Sequence, residues 1–421
     1  MNNLIGVIAG KSGDAITSEL HKCGYDVALI CGSNEEAGSD IADYVKICDL
    51  REKETIFDFF KNLNVGHVII GTGHRYAIEL AGFLENNGIR LNIDLQAVKL
   101  CKNKYLTKEL LKNAGLPVAA HVLIEDKSDL DMSLKKIEDN IGIPCVLKSI
   151  EDIKEPQLIF DKETLYSEIK DMLSHEKSIF AEEYKKGSDC TVIVANDGVN
   201  INPLKCVYWS KGSADRLKGF EQSQSYKLSE DVENELLSIS KKAVEVVGTK
   251  GLVRVDFIVE DGDAPYILEI NGIIVSGLRG TTYCTLIMQQ KINRAEKIVE
   301  SALRFFDMPC DKRMLIGYFK DSDNIEHSKP YKADRKKEFE IVDYRNLNSN
   351  DAKSIYPDLA SDFSAFVYRE SNGSIQGQEL IWLLMFLIKR NFDYIINDLT
   401  GENKKHLSYI IKYLNLNEIG V

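Results

Sequence analysis

Apolar and polar positions first alternate in short runs. Leu4 to Ile8, Val27 to Cys31 and His67 to Gly71 are compact β-rich stretches. Between and after them lie Ala15 to Cys23, Lys53 to Leu63 and Tyr76 to Asn87, whose apolar residues recur at helical spacing. Strands alternating with helices predict a small open parallel sheet covered on both faces, and this α/β region is assigned to residues 1–100. "NKYLTKELLKNAGLP" reads as a helix stopped by Gly115 and Pro117. From His121 the pattern changes. Strands are expected at Val122 to Ile124, Cys145 to Ser149, Ser178 to Glu182, Cys190 to Ala195, Lys205 to Tyr208, Gly251 to Val259 and Tyr266 to Asn271. Helices interrupt them chiefly at Leu130 to Asn140, Lys162 to Leu173 and Asp231 to Val247, the pattern of an α+β region built on antiparallel sheets. Residues 311–421 are expected to form a further α+β segment, with strands near Leu315 to Phe319 and Ala365 to Tyr368 followed by two helices.

"IGVIAGKSGD", from Ile5 to Asp14, contains Gly-Lys-Ser but is not a P-loop. That loop needs four residues between its first glycine and the Gly-Lys-Ser, and Gly6 is one residue too close to Gly10. Gly6, Gly10 and Gly13 also miss the dinucleotide spacing, which leaves a strand-to-helix turn.

The richest stretch is "GLVRVDFIVEDGDAPYILEINGI", from Gly251 to Ile273. Val253, Val255, Phe257 and Val259 make one apolar face and leave Arg254 and Asp256 on the other. In the second half Tyr266, Leu268 and Ile270 are apolar, and Glu269 and Asn271 share the opposite face. Pairing Val259 with Tyr266 and counting back opposes Asp256 to Glu269 and Arg254 to Asn271. Carboxylates directly opposed at about 5 Å destabilise a sheet unless something positive lies between them. Two acids and an amide suit magnesium, which is held by one or two carboxylates plus substrate phosphates. The alternative is a solvated hairpin face.

"RVDF" and "LEIN", preceded by "PCVLKS" and "IFAEEYKKGSD", resemble the ATP-grasp superfamily, the fold shared by D-alanine:D-alanine ligase and carbamoyl phosphate synthetase. The resemblance covers roughly residues 1–305. It implies a parallel domain in front of the nucleotide site, an ATP-grasp domain at 101–310 with a small part at 122–185 and a large part at 186–310, and ATP with Mg or Mn as cofactors. It assigns Lys104 and Lys148 to the nucleotide phosphates, Glu182 to the adenine amino group, the backbone around Glu183 and Lys185 to the adenine edge, and Asp189 to the ribose. Asp256, Glu269 and Asn271 become metal ligands, and Arg254 steadies the transferred phosphate. Without these motifs Lys148 would read as a strand-end surface lysine, and Lys104 would not stand out from Lys102, Lys108 and Lys112.

Two departures bear on function. The family's glycine-rich phosphate lid is replaced by "SIEDIKEPQLIF", which has no glycine. After the asparagine comes "NGIIVSGLRG", so Ser276, Gly277 and Arg279, with Arg216 and Lys218 in the polar loop from Trp209 to Tyr226, are the candidates for gripping a substrate. The expected activity is ADP-forming ligation of a small carboxylate to an amine. Thioester formation, acylation of a carrier protein, or nucleotide binding without turnover are the rivals.

Bulk composition agrees. A 421-residue chain that is 44% apolar and 28% charged is an ordinary globular protein. Its net charge of −12 argues against a nucleic-acid surface. Nine scattered cysteines suit a reducing compartment, and the longest apolar run, "LIWLLMFLI", is too short for a membrane span. The expected partners are small substrates in a cytoplasmic protein, with no membrane; dimerisation, as a homodimer, or acceptor recognition is the role expected of the last hundred residues.

Overall fold

The computed structural model describes residues 3–34, 36–125, 130–150, 154–208, 228–260, 264–274, 294–320, 337–343, 367–368, 370–375, 380, 382–384, 387, 394–414 and 416–419. These fall into two compact units. One comprises the described residues up to Asn92 and those from 294 onward; the other runs from Ile93 to Ile274. Among the described residues no helix is long and apolar enough to cross a membrane.

The chain starts with a wholly parallel five-stranded sheet in the order β3-β2-β1-β4-β5. Its strands are β1 Leu4–Ile8, β2 Asp26–Cys31, β3 Tyr44–Ile47, β4 His67–Ile70 and β5 Arg90–Leu91. Helices α1 Gly13–Lys22, α2 Lys53–Asn62 and α3 Arg75–Asn86 follow β1, β3 and β4, and among the described residues β2 leads to β3 without one. The three central strands are those read from their apolar runs. Pattern reading misses β3, because a half-exposed edge strand carries little apolar signal, and β5, which has only two residues. "IGVIAGKSGD" is β1, one 3-10 turn and the start of α1. Glycine is required at Gly13, where a Cβ would lie 2.1 Å from the Ala37 carbonyl oxygen.

The second unit begins with α4 Leu95–Lys102 and α5 Lys104–Asn113, separated by Asn103, whose side chain accepts from the Leu106 N–H and caps α5. An antiparallel sheet follows in the order β6-β9-β7-β8: β6 His121–Ile124, β7 Cys145–Ser149, β8 Gln157–Ile159 and β9 Ile179–Glu183. Helices α6 Leu130–Asn140 and α7 Lys162–His175 cover one face, burying Ile137, Leu165, Ile169 and Met172 against Cys145, Leu147 and Ile179. The second antiparallel sheet has the order β11-β10-β12-β13: β10 Gly187–Asn196, β11 Ile201–Tyr208, β12 Gly251–Glu260 and β13 Pro265–Asn271. Helix α8 Glu230–Val247 lies across it; its stripe Val232, Leu236, Ala243, Val244 and Val247 meets Val192, Val194, Val253, Val255 and Phe257 in one core.

After α9 Arg294–Phe305 the first unit resumes with a parallel sheet in the order β15-β14-β16-β17. It consists of β14 Met314–Lys320, β15 Lys337–Asp343, β16 Tyr394–Asp398 and β17 Asn417–Ile419, with α10 Gly401–Leu414 between the last two. β14 is the strand expected there. The strand expected at Ala365 to Tyr368 is corrected, because its described residues Val367 and Tyr368 are helical.

Candidate active site

The hairpin β12–β13 sets the site. Its strands begin in a register one residue off the expected one, with Val259 opposite Pro265 and Ile258 opposite Tyr266. A bulge at Leu268 then adds a residue to β13, and beyond it Asp256 faces Glu269 and Arg254 faces Asn271, as expected. The bulge also breaks the alternation of β13: Ile267 and Ile270 both enter the core, in place of Tyr266, Leu268 and Ile270. Tyr266 instead lies under the ammonium of Lys185, 4.3 Å from its ring centre.

Residues opposed across antiparallel strands share a face. Asp189 and Thr191 of β10 pair with Ile258 and Asp256, so the polar face of the sheet carries Asp189, Thr191, Arg254, Asp256, Glu269 and Asn271. The opposite face is the apolar core under α8. Arg254 approaches Asp256 Oδ2 through Nε (3.1 Å) and Nη2 (2.8 Å), and Glu269 Oε1 at 3.7 Å. The Asn271 amide bridges the two acids, at 3.2 Å from Asp256 Oδ2 and 3.0 Å from Glu269 Oε1. Thr191 Oγ1 donates to Asp256 Oδ1 at 2.7 Å.

Helix α5 adds two cations from one face, four residues apart. Lys104 Nζ stands 3.2 Å from Glu269 Oε2. Lys108, buried, reaches Glu182 Oε1 at 2.5 Å and the Ile267 carbonyl at 3.1 Å. Lys148, at the end of β7, pairs with Glu182 Oε2. Glu182 on β9 is therefore clamped between two ammonium groups, with both carboxylate oxygens engaged. At the same strand end Glu183 donates its N–H to the Ala120 carbonyl (2.8 Å), which commits that backbone donor within the fold, and its carboxylate accepts from Lys185 (2.8 Å). Asp189 is buried at the start of β10.

These surroundings set the protonation of the acids. Burial opposes the ionisation of Glu182, but Lys108 and Lys148 override it and hold its pKa below the usual carboxylate value. Burial likewise lowers the pKa of Lys108, partly offset by Glu182. The opposed pair divides. Burial and the neighbouring Glu269 charge push Asp256 up against the pull of Arg254. Glu269 is held at about 2, since Lys104, Asn271 and Arg254 outweigh its burial.

The structure thus brings Lys104, Lys148, Glu182, Arg254, Asp256, Glu269 and Asn271 together, with Glu183, Lys185 and Asp189 on the adjoining strands. Arg216, Lys218, Ser276, Gly277 and Arg279 lie outside the described residues. Sequence reasoning did not select Lys108 or Thr191. Helical spacing puts Lys108 on the face of Lys104 but equally on that of Lys112, so spacing alone does not single it out, whereas Thr191 could have been found from its place two residues after Asp189.

Several known proteins are similar to this chain in sequence or fold. The family described as "D-ala D-ala ligase C-terminus" matches residues 110–304. A D-alanine–D-alanine ligase of Desulforamulus reducens is 27% identical over 292 residues, covering 63% of this chain and 87% of that protein. Among solved structures, N5-carboxyaminoimidazole ribonucleotide synthetase from Thermotoga maritima aligns with a TM-score of 0.57 at 18% identity, covering 73% of this chain and 76% of its own. An L-amino acid ligase from Bacillus licheniformis aligns with a TM-score of 0.54 at 18% identity, covering 71% and 73%.

Proposed function

Since the chain has the ATP-grasp fold, we propose that it is an ATP-dependent carboxylate–amine ligase, which activates a small carboxylate as an acyl phosphate and passes it to an amine with release of ADP and phosphate. The observation that carries this reading is the cationic and acidic cluster on the polar face of β12–β13, where Lys104, Arg254, Asp256, Glu269 and Asn271 converge.

Magnesium suits the oxygen donors here. Two opposed carboxylates beside an amide oxygen can hold a hard cation that also takes phosphate oxygens, and Asn271 would present its Oδ1 by an amide flip. When bound, the ion neutralises phosphate charge. The chain's own residues do the rest. Lys148 exchanges part of its pairing with Glu182 for a nucleotide phosphate, while Lys108 remains with the glutamate and keeps the buried carboxylate compensated. Arg254, anchored by Asp256 through two nitrogens, is a fixed donor for charge that builds on the transferred phosphoryl group. The poor electrophilicity of a carboxylate is overcome by the phosphate leaving group, and the site must exclude water until the amine attacks.

A second reading, nucleotide binding without turnover, is favoured by one observation. The segment that would supply a glycine-rich lid is instead pinned: Gln157–Ile159 pairs with β7 as β8, and Lys154 is held by Glu168 (3.0 Å) and by Asp171 of α7. The deciding experiment measures ADP and AMP formed from ATP and magnesium, with pools of amino acids and small carboxylates added or withheld. ADP that depends on an added acid supports the ligase. AMP would overturn the acyl-phosphate route, and nucleotide binding with neither product would favour the second reading.

A further inference from the structure

In the first unit the end of α1 meets the segment that follows α9. Cys23 Sγ and Cys310 Sγ lie 3.1 Å apart, closer than two unbonded sulfurs usually rest. Bonds that do not involve sulfur hold the two segments in place. The Tyr25 hydroxyl donates to the Pro309 carbonyl (2.6 Å) and the Arg313 N–H to the Lys22 carbonyl (2.8 Å). Lys312 joins Glu19 of α1 (3.3 Å) to Glu296 of α9 (2.6 Å). The thiols are therefore brought together by a preformed scaffold, and a disulfide of about 2.05 Å needs a closing movement of only about 1 Å.

We propose that Cys23 and Cys310 form a site of reversible oxidative modification, which closes to a disulfide on reaction with a small-molecule disulfide such as oxidised glutathione. Cys310 is exposed and Cys23 is buried, so the oxidant meets Cys310 first. The Cys310 thiolate attacks one sulfur of the oxidant, the S–S bond breaks, and one thiol equivalent leaves. The Cys23 thiolate then attacks Cys310 Sγ in the mixed disulfide and releases the second. Two protein thiols lose two electrons and two protons, which appear as two molecules of reduced thiol.

The electrostatics favour this order. The hydrogen bond shared with Cys23 lowers the Cys310 pKa against burial and the nearby charge of Glu300, with Lys312 adding a smaller downward pull against Glu19. The same bond, with burial, raises that of Cys23. The other described cysteines are poor competitors. Burial raises the thiols of Cys31, Cys101 and Cys190 to about 12 and that of Cys145 to about 11, and it raises Cys48 and Cys206 as well. The closed bond would span most of the chain, from the end of α1 to the approach to β14.

The test treats the full-length protein with oxidised glutathione, blocks residual thiols with iodoacetamide and maps peptides without reduction. The expected result is a linked Cys23–Cys310 peptide in most molecules, a loss of two alkylatable thiols that dithiothreitol restores, and a rise in unfolding temperature of about 5 °C. Cys310→Ser, a conservative change at an exposed position, should remove the linked peptide and the thermal shift while retaining the far-UV circular dichroism of the wild type. Separate alkylation of both cysteines after excess oxidant would overturn the proposal. So would a stable glutathione adduct on Cys310, or linkage of either residue to Cys284.

Discussion

Replacing Glu182 by glutamine keeps the size of the side chain and deletes the charge that compensates Lys108. The pair is buried, with side-chain exposures of 2% and 3%, and its atoms are 2.5 Å apart. At an effective dielectric constant of about 20, the direct attraction is about 7 kcal/mol, most of it offset in the native protein by the desolvation of both ions. In the variant that desolvation is uncompensated. The cost has a ceiling, because Lys108 can give up its proton. Bringing an ammonium from its usual pKa of 10.5 to neutrality at pH 7 takes about 5 kcal/mol, at about 1.4 kcal/mol per pH unit. Breaking a buried ion pair from one side usually costs about 3–5 kcal/mol, in agreement. Glu182→Gln is therefore expected to lose about 3–5 kcal/mol in urea denaturation followed by far-UV circular dichroism, a large share of the stability of an ordinary domain. The pH dependence has a definite sign. A lysine neutral in the folded variant and charged when unfolded makes the unfolded state bind more protons, so the deficit should shrink as pH rises from 7, by up to about 1.4 kcal/mol per unit. Lys108→Met should cost less, since Glu182 keeps Lys148. A loss below about 1 kcal/mol for Glu182→Gln, or a deficit that grows with pH, would refute the reasoning.

Other consequences are equally direct. Glu269→Gln should cut ADP formation about a hundredfold or more while leaving the fold intact; retained turnover would remove the metal assignment. Thr191→Val deletes the hydroxyl that orients Asp256 and should weaken magnesium dependence about 10–100-fold, read as the metal concentration giving half-maximal rate. Asp161→Ala removes the cap of α7, where Asp161 accepts from the Thr164 N–H (2.8 Å) and hydroxyl (2.8 Å), and should cost about 1 kcal/mol in stability with the KM for ATP unchanged.

Much of the site was legible because its chemistry is local. In β12 the alternation of Val253, Val255 and Phe257 with Arg254 and Asp256 is a property of adjacent residues, and any strand built from it presents those polar groups on one face. The opposition of Asp256 to Glu269 was inferred from a hairpin register one residue out. It holds because the Leu268 bulge cancels the offset, and a bulge leaves no mark in composition or period. The clamp on Glu182 was out of reach. Lys108, Lys148 and Glu182 come from a helix and two strands, and only their packing separates Lys108 from the other lysines of α5. The last hundred residues show the limit of pattern reading. β14 stood out as an apolar run, whereas β15, whose polar residues obscure the period, β16, which lies where only helices were expected, and the short β17 did not, and the apolar stretch at Val367 and Tyr368 proved helical. By itself the sequence determined which residues alternate, that the entry helix stops at Gly115 and Pro117, and which polar groups share a strand face, because these depend on neighbours along the chain. Tertiary structure alone decided the bulge, the buried lysine and the meeting of Cys23 with Cys310, because each depends on groups that only folding brings within reach.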